Sequence, residues 1–425
     1  MKKIVLLLAV VLLCTTGIFA AGRSEGSGDN AVTITLLRPS TSLDGFQQIY
    51  PAIEKKLNIK TEVEWRVGGA EGETIIRTRL AAGDMADLFD YNTGSKLNDL
   101  NPERNCLDLT PYYGSMLDPQ FARVASAGGR VYALPITYTT LAGAFLYNKK
   151  IYQQLGLQVP RTWKEFLENC DKIQAAGIVP IIGTYRDTST SQMVFLQENY
   201  YTIKAMPNWP AEYTANRAKY ATIPAALRGF EKLAETAKYL NRDYLATSIN
   251  DGTEMLINGE GAHYAAQTNR LTSIEQTFPD AIDYLGVFAQ PGDDPNDQGL
   301  TVWMPNGLFI YRNTKKLDAA RQWVDYFLTQ EAFDLYSSVR KPTGPSMILG
   351  HVLPQDSIPG ILDCQQYFSS GKYELALEFE SPIKGPNLEQ ICIEVTTGRM
   401  TPMEAAIAYD QDVQKQAVLL NIPGW

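Results

Sequence analysis

Val32-Thr33-Ile34-Thr35-Leu36-Leu37 reads as a strand that closes on the turn-rich Arg38-Pro39-Ser40-Thr41. Helical spacing follows over residues 46–57, and Thr61-Glu62-Val63-Glu64-Trp65 then alternates polar and apolar residues as a second strand. Residues 73–82 are helical and are stopped by Gly83. Asp87-Leu88-Phe89-Asp90 is a short third strand running into Tyr91-Asn92-Thr93-Gly94. Strands that alternate with helices in this way predict an α/β protein with a largely parallel sheet flanked by helices.

Further along, Pro160-Arg161-Thr162-Trp163-Lys164-Glu165 marks a helix start. Thr162 can cap the first turn and Glu165, three residues on, can return the hydrogen bond. Trp163, Phe166, Leu167, Cys170 and Ile173 share one face, and Gly177 ends the helix. Thr401-Pro402-Met403-Glu404 repeats the capping pattern with proline at the first helical position. Residues 317–339 also have helical spacing. The loop 290–298, with Pro291-Gly292-Asp293-Asp294-Pro295, is the most linker-like interior segment. A chain of 425 residues exceeds what one hydrophobic core usually serves, so two domains are expected.

The N-terminus carries an address. Lys2 and Lys3 precede an apolar run from Ile4 to Leu13, with small residues at Gly17, Ala20, Ala21 and Gly22. That order is a secretory signal peptide over residues 1–22, and the run falls short of the roughly 20 residues a spanning helix needs. Cys14 follows Leu13, which is too bulky for the usual lipidation site, so cleavage is expected with a lipid anchor at Cys14 as the alternative. The mature chain is expected to be soluble and periplasmic or otherwise extracytoplasmic. The net charge of −9 argues against nucleic acid or an anionic membrane as partner, and disfavours a large anionic ligand. Cys106, Cys170, Cys364 and Cys392 form no CxxC or Cys/His cluster, and His263 and His351 are the two histidines. A zinc site or a histidine-based nucleophile is therefore not expected, and no cofactor is.

Gly128-Gly129-Arg130-Val131-Tyr132-Ala133-Leu134-Pro135, then Leu146-Tyr147-Asn148-Lys149-Lys150, resemble the family-1 extracellular solute-binding proteins of the maltose-binding type. The resemblance continues in order through Gly156-Leu157-Gln158-Val159-Pro160-Arg161-Thr162-Trp163-Lys164-Glu165-Phe166, Ala175-Ala176-Gly177-Ile178-Val179-Pro180-Ile181, Leu256-Ile257-Asn258-Gly259-Glu260-Gly261-Ala262 and residues 315–328. His263 stands where methionine is usual. Most of these motifs speak to the fold and little to the ligand. The resemblance implies a two-lobed periplasmic-binding-protein fold, each lobe a mostly parallel sheet flanked by helices, joined by a multi-segment hinge. Lobe 1 would comprise residues 31–141 and 300–344, and lobe 2 residues 142–299 and 345–425. It further implies a monomer that captures a sugar or oligosaccharide between the lobes and delivers it to the permease subunits of an ATP-binding cassette importer.

A sugar presents hydroxyls and apolar faces, so its site needs aromatic walls and fixed polar groups. The candidates are residues past strand ends. In lobe 1 these are Arg38, Ser40, Trp65, Asp90, Tyr91 and Asn92, with Tyr91 where the resemblance places a stacking tryptophan. Tyr138 and Thr139 occupy the first crossing. In lobe 2 the candidates are Tyr185, Asp187 and Asn269, the last where the family pattern has tryptophan. Trp303 and Asn306 belong to the returning segment, and Arg340 lies near the third crossing. Tyr91 and Trp303 are expected to wall the cleft. Trp65 ends its strand on the apolar phase and reads equally as core, and Asp90 reads equally as a turn cap.

Two other readings compete. A secreted glycosidase would need two carboxylates roughly 5–9.5 Å apart across a cleft, and Asp90 with Asp187 is the cross-lobe pair to inspect. The same fold could instead take a polyamine, a peptide or an iron chelate, the last disfavoured by scarce histidine.

Overall fold

The computed structural model describes residues 31–40, 45–141 and 143–425. The signal peptide, Cys14 and the start of the second lobe at residue 142 lie outside them.

The first sheet is built on Val32–Pro39, flanked in parallel by the edge strand Ile59–Arg66 and by Leu88–Tyr91. Neighbours on both sides explain why Leu36, Leu37 and Arg38 are all buried, with no polar face left at the strand's end. Phe46–Leu57 covers one face with Phe46, Ile49 and Ile53. Gly69–Ala82 ends at Gly83, whose φ of 72° is the left-handed conformation the helix stop requires. Gly307–Ile310 returns to this sheet antiparallel to Leu88–Tyr91, and Leu134–Pro135 adds at its far edge.

In the second sheet, Leu285–Ala289, Ala144–Asn148, Gly261–Ala266 and Val179–Ile182 stand side by side in that order. Val179–Ile182 and Gly261–Ala266 are parallel, whereas Ala144–Asn148 runs antiparallel to both of its neighbours. Both sheets are therefore mixed. Parallel pairing holds where a helix links the strands, and the chain arriving from the other lobe enters in the opposite sense.

A small third sheet joins the lobes: Leu300–Trp303 lies between Thr140–Leu141 and Tyr373–Leu375. A further crossing packs beside it, where Thr343 Oγ1 donates to the Thr139 carbonyl at 3.0 Å and Thr268 Oγ1 donates to the Thr343 carbonyl at 2.6 Å. Gly344 sits so close to this backbone that an added Cβ would lie 2.5 Å from the Thr139 carbonyl oxygen. One hydrophobic cluster runs from the first lobe through Leu141, Leu300 and Val302 onto a face of the second sheet. The other fills the opposite face of that sheet.

Several local expectations meet differences. Thr162 accepts from the Glu165 amide, but Glu165 reaches the amide of Arg161 instead of Thr162. Thr401 and Glu404 form the full reciprocal box. Residues 317–339 are two helices, Leu317–Phe327 and Gln330–Val339, because Thr329 caps a new start. The stretch 290–298 is no linker. Its Pro291 carbonyl accepts from the buried Lys232 ammonium, which pairs with Glu198 at 2.7 Å, and Trp163 N–H donates to Gly292. Of the residues from 345 onward expected in lobe 2, Met347 and Leu349 hydrogen-bond to Asp118 and Met116 of the first lobe. All four described cysteines are buried free thiols.

Candidate functional site

The carboxyl ends of the first-lobe strands, the three crossings and the start of a second-lobe helix surround a cleft of about 310 Å³. Its polar wall begins with Arg38. Strand geometry delivers Arg38 beyond the apolar run, and Phe46 at the start of the next helix receives it, the guanidinium carbon 3.9 Å from the ring centroid. Arg38 Nη2 lies 3.8 Å from Asp90 Oδ2, and both side chains are almost wholly buried. Asn306 Nδ2 donates to Asp90 Oδ1 at 3.0 Å, which ties the returning segment to the third strand. The Asp90 carboxylate is thus held by a cation and an amide at the floor of the cleft. That arrangement fixes polar groups in one orientation for hydrogen bonding with a ligand.

Trp303, at the end of the crossing strand, is half-buried and sets its ring edge-to-face on Phe379, centroids 5.2 Å apart. Asn269 opens the helix Asn269–Thr277 on the opposite side. Both residues also line a second cavity of about 250 Å³ toward lobe 2, so the two spaces share a wall. Tyr138 forms the hinge side of the first. Its hydroxyl bonds to Ser337 and its ring meets the edges of Phe333 and Tyr336, and burial raises its phenol. Arg340 caps the helix Gln330–Val339 at the same rim.

Arg38, Asp90, Tyr138, Asn269, Trp303, Asn306 and Arg340 are therefore brought together. The remaining expected site residues are not. Tyr91 is fully buried in the first-lobe core and faces away from the cleft. Its neighbour Asp90 points into the cleft, and strand alternation sends Tyr91 the other way, toward Arg77 and Asp99. Burial, reinforced by Asp99 and Glu73, pushes its phenol up to about 12. Asn92 donates to Glu73 at 2.9 Å and lies outside the cavity lining. Ser40 is exposed on the turn, its amide bonded to the Arg66 carbonyl. Trp65 projects from the edge strand with 55% of its surface exposed and lines neither cavity. Thr139 is a hinge residue, buried, with its backbone bonded to Pro345 and Thr343. Tyr185 is buried past the end of the strand Val179–Ile182, where it packs edge-on against Tyr244. Asp187 accepts from the Ile249 amide at 2.7 Å and so caps a helix.

Of the two acids weighed as a hydrolytic pair, only Asp90 reaches the cleft. Among the described residues no other carboxylate lines either cavity, so the two-carboxylate geometry of glycoside hydrolysis is absent there. Nor does any group of three or more His, Cys, Asp or Glu among them suit a metal ion.

Residues that the sequence reading passed over include Thr140 and Thr343 on the crossings, and Gln192, Gln267, Arg270 and Lys384 around the second cavity. Gln267 and Arg270 flank Asn269 closely enough to have been found with it. Gln192 and Lys384 come from distant segments without local signal.

The family described as bacterial extracellular solute-binding protein matches residues 39–332. The chain is 25% identical over 351 residues to the multiple sugar-binding protein of Streptococcus mutans, covering 78% of this chain and 80% of that one. It is 28% identical over 344 residues to the melibiose/raffinose/stachyose-binding protein MelE of Bacillus subtilis, covering 76% of each. In fold it is similar to the apo form of RafE from Streptococcus pneumoniae, with a TM-score of 0.76 at 18% identity, covering 91% of this chain and 97% of that one.

Proposed function

Because this chain belongs to the bacterial extracellular solute-binding protein family, we propose that it captures a sugar or oligosaccharide between its lobes and delivers it to the permease of an ATP-binding cassette importer. The observation that carries the ligand class is the cleft itself. An aromatic wall, Trp303, lines the same cleft as a fixed network of Arg38, Asp90 and Asn306, with Asn269 contributed by the other lobe. A ring with polar edges and apolar faces is the ligand such a lining complements. Both curated relatives are named for sugars, which supports the same class.

The lobes meet through three crossings, with the short strand Tyr373–Leu375 paired beside them, a connection thin enough for hinge closure on a ligand. Closure brings Asn269 toward Asp90 and buries the ring between them, giving a membrane partner a shape to read. The protein acts as a monomer after cleavage between Ala20 and Arg23, free of a lipid at Cys14. Among the described residues no helix is long and apolar enough to cross a membrane.

A thermal-shift screen over mono- and oligosaccharides, polyamines and amino acids tests the reading. A ligand at 100-fold its dissociation constant adds about 2.7 kcal/mol of stability. Stabilisation by a polyamine or an amino acid, with every sugar silent, refutes it.

A further inference from the structure

The cavity on the lobe-2 side of the cleft differs from the first in its charge. Arg270 and Lys384 line it, and no carboxylate does among the described residues. Lys384 is tied at 2.8 Å to Glu378, which does not line the cavity. Arg270, on the first turn of the helix that begins at Asn269, is half-buried and forms no ion pair with any described residue. Across the same cavity stands Gln192, with 6% of its surface exposed. Its amide nitrogen donates to Ser189 and Glu389, and its Oε1 has no hydrogen-bond partner among the described residues. Gln192 and Arg270 both line a space of about 250 Å³ that shares Trp303 and Asn269 with the main cleft. A cation on that wall without a counter-charge among the described residues calls for an anion.

A neutral hydroxyl can accept from a guanidinium, but a charged acceptor adds direct charge attraction and uses the planar fork in bidentate fashion. We propose that this cavity takes the anionic substituent of an acidic sugar residue, a uronate carboxylate or a sulfate ester, with Arg270 as the cation that selects it. The proposal rests on the sugar-binding reading above and narrows it to acidic saccharides. The overall negative charge of the chain does not oppose it. Surface charges farther than a screening length of roughly 8–10 Å are damped by salt, whereas a cation on the cavity wall acts in direct contact. The expectation that a negative net charge disfavours a large anionic ligand concerns diffuse surface contact and does not extend to a walled cavity.

The test is calorimetric titration of the full mature chain with paired probes. Galacturonate, glucuronate and mannuronate di- and trisaccharides are each set against the neutral oligosaccharide of the same linkage, and sulfated galactobiose against galactobiose. The expected result is that the tightest probe is acidic and exceeds its neutral partner by roughly tenfold or more, the scale of one charge-assisted pair. Preference for the uronate or for the sulfated member names the substituent. Arg270→Gln should remove most of that preference and leave the neutral affinity within about threefold, with Arg270→Lys in between and unchanged melting temperatures in all three proteins. A tightest probe that is neutral, or an acidic preference that survives Arg270→Gln, overturns the proposal while the sugar reading stands. Silence of every saccharide alongside binding of a polyamine or peptide overturns both.

Discussion

Replacing Trp303 and Tyr91 by alanine, one at a time, separates a cleft wall from a core residue. Tyr91 is fully buried among the first-lobe strands and, among the described residues, its hydroxyl makes only long contacts of 3.5 Å to Arg77 and Asp99. Truncation there should cost about 3–5 kcal/mol, the range for a core aromatic. For a lobe-sized unit, at about 2–4 °C per kcal/mol, the melting temperature should fall by roughly 6–20 °C. Trp303 is half-buried and has one edge-to-face ring neighbour, Phe379. Its loss forfeits an aromatic pair worth about 0.5–1.5 kcal/mol, plus a part of its apolar burial, so the melting temperature should move by only a few degrees. On the ligand side the order reverses. Ring stacking is worth roughly 1–3 kcal/mol by the scale measured for bases on aromatics, so Trp303→Ala should weaken binding roughly 5- to 150-fold. Tyr91→Ala, where it still folds, should retain affinity. Scanning calorimetry and titration calorimetry on the same preparations decide the matter. Unchanged affinity of Trp303→Ala with a melting point as low as that of Tyr91→Ala would refute the placement of the binding wall.

Asp90→Ala should lower stability by about 3–5 kcal/mol in urea denaturation, because it leaves the buried Arg38 cation without that carboxylate. Gly344→Ala should disturb hinge closure more than lobe stability, since its Cβ would press on the Thr139 carbonyl; small-angle scattering with and without ligand would register a reduced compaction. Burial, partly offset by the hydrogen bond to Pro180, lowers the pKa of His263 to about 4. The unfolded chain takes up its proton near 6.5 and the folded one does not. Stability should thus decline as pH falls from about 6.5 toward 4, and His263→Gln should flatten that slope in denaturation midpoints. Thr401→Ala removes the hydroxyl half of the cap on Pro402–Leu419, leaving the backbone N–H to Glu404, and should cost about 0.5–2 kcal/mol, read from thermal denaturation.

Local patterns determined much of this protein by themselves. The helix 46–57, the caps at Thr162 and Thr401 and the burial of Cys170 depend on neighbours a few residues away, and periodicity records those neighbours. Motif order carried the two-lobed fold because the motifs mark turns and strand ends that any ligand-independent version of the fold must keep. The side a strand-end residue faces was decided only in three dimensions. Asp90 and Tyr91 are adjacent, yet one reaches the cleft and the other the core, because the partner strands set the phase of the pleat. Thr139 and Thr140 divide in the same way at the crossing, where a hydrogen bond from Thr343 and one donated to the Pro345 carbonyl consume the backbone of the first. The second cavity as a whole could not be read from the chain, although Asn269 and Trp303 on its wall were. Gln192, Arg270, Trp303 and Lys384 are far apart in sequence and meet only because the hinge and two helices converge there. A one-dimensional pattern holds no record of that convergence.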